Sequence, residues 1–142
     1  MMNLTTQGLP RFTEAQDLIF DTACNELALG EKTSHWMWFV FPQLKGLGNS
    51  PIARHYALES AAEALDYWQH PVLSARLKEC TQLVLAQPNT SALDIFGTPD
   101  DFKFKSCMTL FSKIAPEEPM FQQALTKFFN GKFDEATLKL LG

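Results

Sequence analysis

Phe121-Gln122-Gln123-Ala124-Leu125-Thr126-Lys127-Phe128-Phe129-Asn130-Gly131 places apolar side chains at positions 121, 124, 125, 128 and 129. That spacing wraps one face of a helix with 3.6 residues per turn, and polar residues fill the rest. Asn and Gly accept the left-handed backbone that closes a helix, so Asn130-Gly131 marks the end. Upstream, Pro116 and Pro119 bracket a linker. Before it, Thr98-Pro99-Asp100-Asp101 predicts a helix start, with both acids where the peptide dipoles favour negative charge. Phe104, Cys107, Met108 and Phe111 form the apolar stripe of that helix. Downstream, Asp134 is placed to cap a last helix that buries Thr137, Leu140 and Leu141.

The same reading extends to the N-terminal half. Thr13 and Gln16 have capping-box spacing, and Phe12, Ala15, Ile19, Ala23 and Leu27 recur at helical intervals up to Gly30. Glu14, Asp17 and Asp21 fall on the opposite, solvated face. Ser50-Pro51 and Ser60 with Glu63 predict two further starts. His70-Pro71 breaks the second of these, and the next helix carries Leu73, Leu77, Cys80 and Val84 until Pro88. Thr90 opens a short turn through Phe96, released by Gly97. The segment Ser34 to Phe41 is too short for periodicity to choose between strand and helix; Ser34 is a candidate cap and Pro42 a stop. The expectation is an all-α protein: a flexible N-terminus over residues 1–10, then one compact domain of six to eight helices over residues 11–142.

The 142 residues carry 12 Lys+Arg against 16 Asp+Glu, a net charge of −4. This balance argues against a nucleic-acid coat or a protein spread on an anionic membrane, though not against a local basic pocket. No apolar run approaches the roughly 18 residues of a membrane span. The N-terminus lacks the basic and apolar regions of a secretion signal. Cys24, Cys80 and Cys107 are odd in number and widely spaced, which suggests neither a disulfide framework nor a zinc knuckle. A cytoplasmic setting is expected. His35, His55 and His70 have no metal-ligand spacing, and no Walker loop or other cofactor motif occurs, so neither metal nor cofactor is expected.

Three stretches have the chemistry of a site. In Ser34-His35-Trp36-Met37-Trp38-Phe39-Val40-Phe41, Trp36 and Trp38 suit stacking on a flat group, and His35 suits acid–base work near neutral pH. The alternative is that the run is simply core. Lys45-Gly46-Leu47-Gly48-Asn49-Ser50-Pro51, with Arg54 one turn on, has glycines, a helix start and two cations. These are the ingredients of an anion cradle, and also of an ordinary loop. In Asp101 to Thr109, Lys103 and Ser106 share an edge beside the apolar stripe, either as a solvated rim or as the polar side of a pocket. Cys107, on the stripe itself, is expected to be inert.

These stretches also carry a resemblance. The run Lys32 to Leu44, Gly46 to Ser50, His70-Pro71-Val72-Leu73 with Arg76-Leu77, Phe96-Gly97, Asp101-Phe102-Lys103, Ser106 to Phe111 and Phe128 to Asp134 resemble a small all-helical bacterial family of unknown function often mislabelled calpastatin. The similarity extends over about residues 11 to 141. The family usually has a second serine where this chain has Cys107. The resemblance implies an all-α fold and hands over no catalytic residue. Two functional expectations stand together. One is a pocket for a small anionic, nucleotide-like ligand, either bound only or bound and hydrolysed. Trp36 or Trp38 stacks on it, Lys45, Gly46, Gly48, Ser50 and Arg54 hold the anion, and Gln43 and Ser106 give directional contacts. His35 and Lys103 are the candidates for chemistry. The other is a non-catalytic protein-interaction or structural module.

Overall fold

A computed structural model describes residues 4–142. Among them are nine helices: α1 (Pro10–Leu29), α2 (Met37–Val40), α3 (Pro51–Tyr56), α4 (Ala61–Gln69), α5 (Pro71–Leu85), α6 (Ala92–Phe96), α7 (Asp100–Ile114), α8 (Met120–Phe129) and α9 (Glu135–Leu141). The all-α expectation holds, in one compact domain. The number exceeds the expected range because Met37–Val40, ambiguous by its length, forms a single helical turn. The nearest approach to β structure among the described residues is an isolated parallel bridge between Leu44 and Leu58.

α1 packs on α5, and α7 packs on both α8 and α4. Their shared interior holds the expected stripes: Phe12, Ala23 and Leu27 of α1, Leu73, Leu77, Cys80 and Val84 of α5, and Phe104, Cys107, Met108 and Phe111 of α7. Phe104 sits at the centre, edge-on to Phe41 and stacked on Phe96 at 4.8 Å. Apolar area leaving water supplies the driving force, and close ring contacts give the core its specific geometry.

Several helix boundaries follow the expected chemistry. Ser50, Ser60 and Asp134 accept from the backbone N–H three residues on. Asn130 and Gly131 both have positive φ beyond α8. Others differ. α1 starts at Pro10 with no side-chain cap, because proline at the first helical position needs no N–H partner. Thr13 therefore lies within the helix and donates to the Pro10 carbonyl. Gln16 is buried instead of capping: its amide donates to the Phe39 carbonyl at 2.7 Å and to the Tyr67 hydroxyl at 3.1 Å. The short turn before Gly97 is capped by Ser91, one residue after Thr90. Leu140 is exposed at the end of α9, against Gly46.

The link between α1 and α2 depends on Glu26. This buried carboxylate accepts from the Thr33 and Ser34 amides at 2.8 and 2.9 Å, the Ser34 hydroxyl and the Trp36 indole N–H at 3.0 Å. Ser34 therefore serves Glu26 and does not cap α2, whose N-cap residue is Trp36. Burial pushes the Glu26 carboxyl up, but the bonds from Ser34, Thr33 and Trp36 outweigh it and lower its pKa from 4.5 to about 2. A pKa depressed on folding stabilises above the unfolded value, and the contribution is lost as pH falls through the folded one. The shift corresponds to about 3 kcal/mol. Glu26→Gln is therefore expected to lower the urea-unfolding free energy at pH 7 by about that amount. The gap between variant and wild type should shrink as the pH falls from 4.5 towards 2. Equal stability at pH 7 would show that the carboxylate is not holding this loop.

Candidate functional site

Pro42 ends α2 and sends the chain back along the segment after α3. There Lys45 N–H donates to the Leu58 carbonyl at 2.8 Å and Leu58 N–H to the Gln43 carbonyl at 2.9 Å. These two bonds fold residues 45–50 over α3. The close approach requires glycine at 48, where a Cβ would stand 2.7 Å from that of Ala53. Gly46, at φ 105°, has a backbone that other residues rarely adopt.

The loop and α3 enclose an open cleft of about 320 Å³ lined by Lys45, Gly46, Gly48, Asn49, Arg54, Ala57 and Glu59. Lys45 Nζ meets Glu59 Oε2 at 3.3 Å, with both side chains more than half exposed. Arg54 takes part in no ion pair among the described residues. It also lines a second open cleft, of about 410 Å³, with Arg11, His55, Glu59 and Glu63. The floor of that cleft is rigid: Arg11 is buried, paired with Glu63 at 2.9 Å, and donates to the Gly8, His55 and Ala57 carbonyls. Burial, reinforced by the Arg11 charge, lowers the His55 pKa. The two clefts thus adjoin at Arg54 and Glu59.

Trp38, Gln43 and Lys103 meet in a separate cavity of about 10 Å³, room for about one water, which shares Ala57 with the Lys45 cleft. Lys103 Nζ stands 5.1 Å over the Trp38 ring and 3.6 Å from Asp100 Oδ1. The remaining expected residues lie elsewhere. Trp36 is wholly buried, its N–H engaged by Glu26, so it offers no face to a ligand. His35 is exposed and lines none of these clefts. The Ser50 hydroxyl accepts from Ala53 N–H as a helix cap. Ser106 is buried and donates to the Phe102 carbonyl one turn back. Burial raises the Cys107 thiol well above its ordinary value, consistent with an inert core residue.

Sequence reasoning missed Lys32, Asp100, Arg11 and His55. Lys32 Nζ pairs with Asp100 Oδ2 at 2.8 Å, and its side chain is only 9% exposed. One carboxylate therefore serves both Lys32 and Lys103. The signal available was Asp100 in a first helical turn with Lys103 three residues on, but Lys32 is sixty-eight positions away and reaches it only through the fold. Among the described residues, no group of three or more His, Cys, Asp or Glu is placed to hold a metal ion. No helix there is long and apolar enough to cross a membrane.

Asp100→Asn is expected to destabilise the protein by about 3 kcal/mol, because it strands a nearly buried lysine. Chemical denaturation is the check. A loss below about 1 kcal/mol, the scale of a surface pair, would show that Lys32 escapes to solvent.

The family model described as "Protein of unknown function (DUF1810)" matches residues 6–141. Among solved structures, the chain is similar to the conserved hypothetical protein Rv1873 from Mycobacterium tuberculosis. The two are 46% identical with a TM-score of 0.92, over 94% of this chain and 95% of that one. No curated protein matches the chain significantly.

Proposed function

The chain belongs to the DUF1810 family, proteins of unknown function, and we propose that it binds a small anionic, nucleotide-like ligand in the basic cleft around Arg54. The observation that carries this reading is that Arg54, engaged in no ion pair among the described residues, stands where two open clefts adjoin. In the first cleft Lys45 and Arg54 face one carboxylate, Glu59, a local excess of one positive charge in a chain of net charge −4. A phosphate there completes the pairing of Arg54, whose planar fork suits bidentate contact. The exposed Lys45–Glu59 pair contributes at most about 1 kcal/mol, so releasing Lys45 to the ligand costs little. Gly46 and Gly48, without side chains, leave backbone at the cleft wall.

Trp38, Gln43 and Lys103 lie behind this cleft, across Ala57. A flat group stacks on Trp38 only when Lys103 leaves the indole face. The proposal is confined to binding, since neither His35 nor Ser106 lines the cleft. A second reading, an interaction module, is favoured by Leu18 and Leu29. They are 86% and 83% exposed, and eleven residues apart they share one face of α1. A monomer by light scattering, with no partner retained on the purified protein, counts against it.

Calorimetric titration with inorganic phosphate, ADP-ribose, nucleotides and sugar phosphates tests the binding reading. The double variant Lys45→Ala with Arg54→Ala is expected to unfold within about 1 kcal/mol of wild type, because both side chains are exposed. Its affinity should fall at least about tenfold, as loss of charge-assisted hydrogen bonds requires. Unchanged affinity, or no binding by any of these anions, contradicts the proposal.

A further inference from the structure

Cys24 and Cys80, fifty-six positions apart and on different helices, come together where α1 packs on α5. Cys80 is wholly buried and Cys24 partly exposed. The Cys24 thiol donates to Glu79 Oε2 at 3.3 Å, so it meets α5 at the residue directly before Cys80. Two thiols and a carboxylate thus lie together at the α1–α5 contact, spanning from core to surface. Glu79, at the outer end, lines an open depression of about 360 Å³ with Phe20, Pro71, Val72, Ala75 and Arg76. The third cysteine, Cys107, is buried on α7.

We propose that Cys24 and Cys80 form an oxidation site that hydrogen peroxide converts to a disulfide joining α1 to α5. The inference is independent of the anion-binding reading. Its chemistry takes two steps. Cys24 Sγ attacks one peroxide oxygen and the O–O bond breaks; the departing hydroxide takes the Cys24 proton, relayed through Glu79, and leaves as water. Cys24 is then a sulfenic acid. Cys80 Sγ attacks the Cys24 sulfur, the S–O bond breaks, and the departing hydroxide takes the Cys80 proton as a second water. Two thiols are oxidised and one peroxide is reduced to two waters. The order is set by the surroundings: the neighbouring Cys24 side chain and burial both raise the Cys80 thiol and hold it protonated. Attack on the incoming oxidant therefore belongs to Cys24, and Cys80 resolves it.

Treatment of the purified full chain with hydrogen peroxide, followed by denaturing alkylation and intact-mass analysis, tests this. A monomer about 2 Da lighter is expected, with the Cys24 and Cys80 peptides linked on a non-reducing map and released by dithiothreitol. Cys80→Ala should instead accumulate a dimedone-reactive Cys24, and Cys24→Ser should leave Cys80 unmodified. Because the cross-link is read in the wild-type chain, instability of either variant leaves the test intact. Persistent free thiols, a sulfenic acid on Cys24 that never passes to Cys80, or a bond between two molecules would overturn the proposal.

Discussion

The carboxylate of Glu26 collects four donors from the ten residues that follow it, and the arrangement of the aromatic run depends on that collection. After Gly30 the chain has to reverse out of α1 and deliver Trp36 to the core. A reversal of that kind leaves amides without backbone partners, and an indole N–H cannot be buried unpaired without cost. Glu26 meets both needs from within α1. With the loop held, Lys32 N–H reaches the Ile95 carbonyl at 2.7 Å and Lys32 Nζ reaches Asp100. The start of α7 is thereby fastened to the segment that carries Trp38 and Gln43. Removing the charge at Glu26 loosens the frame on which the small cavity is built.

Much of the fold was legible in the residues, for a physical reason. The stripes of α5, α7 and α8 are local periodic patterns, and a helix that buries one face has to show that period. Capping is equally local, which is why Ser50, Ser60 and Asp134 read correctly. Gln16 shows the limit: its spacing from Thr13 imitates a capping box, while its role is to join α1 to α2 and α4. Burial of a polar side chain depends on partners distant in sequence, and no window of neighbouring residues displays them. Trp36 is the counterpart within the candidate site. Its aromatic neighbours suited a stacking surface or a core equally, and the acceptor that decides for the core lies ten residues upstream.

The site itself was legible in its loop and not in its depth. Lys45, Gly46, Gly48 and Arg54 do share one cleft, because a short glycine loop leading into a helix keeps its residues near one another. The expected companions separated. Trp38, Gln43 and Lys103 occupy the neighbouring cavity, while His35, Ser50 and Ser106 are outside it or committed to the backbone. A charge pattern that nets to −4 over the chain hides Arg54, which stands where two clefts meet and takes part in no ion pair among the described residues. The family match and the likeness to a conserved hypothetical protein bear on the fold, and the proposal of anion binding rests on the chemistry of the cleft.

The most direct measurement is the amide chemical-shift map of the isotopically labelled protein titrated with ADP-ribose, with inorganic phosphate alongside. Saturable shifts concentrated over the segment from Lys45 to Glu59, with phosphate moving a subset of the same resonances, are the outcome this account predicts. A spectrum unchanged by both compounds, or shifts confined to a surface remote from Arg54, would contradict it.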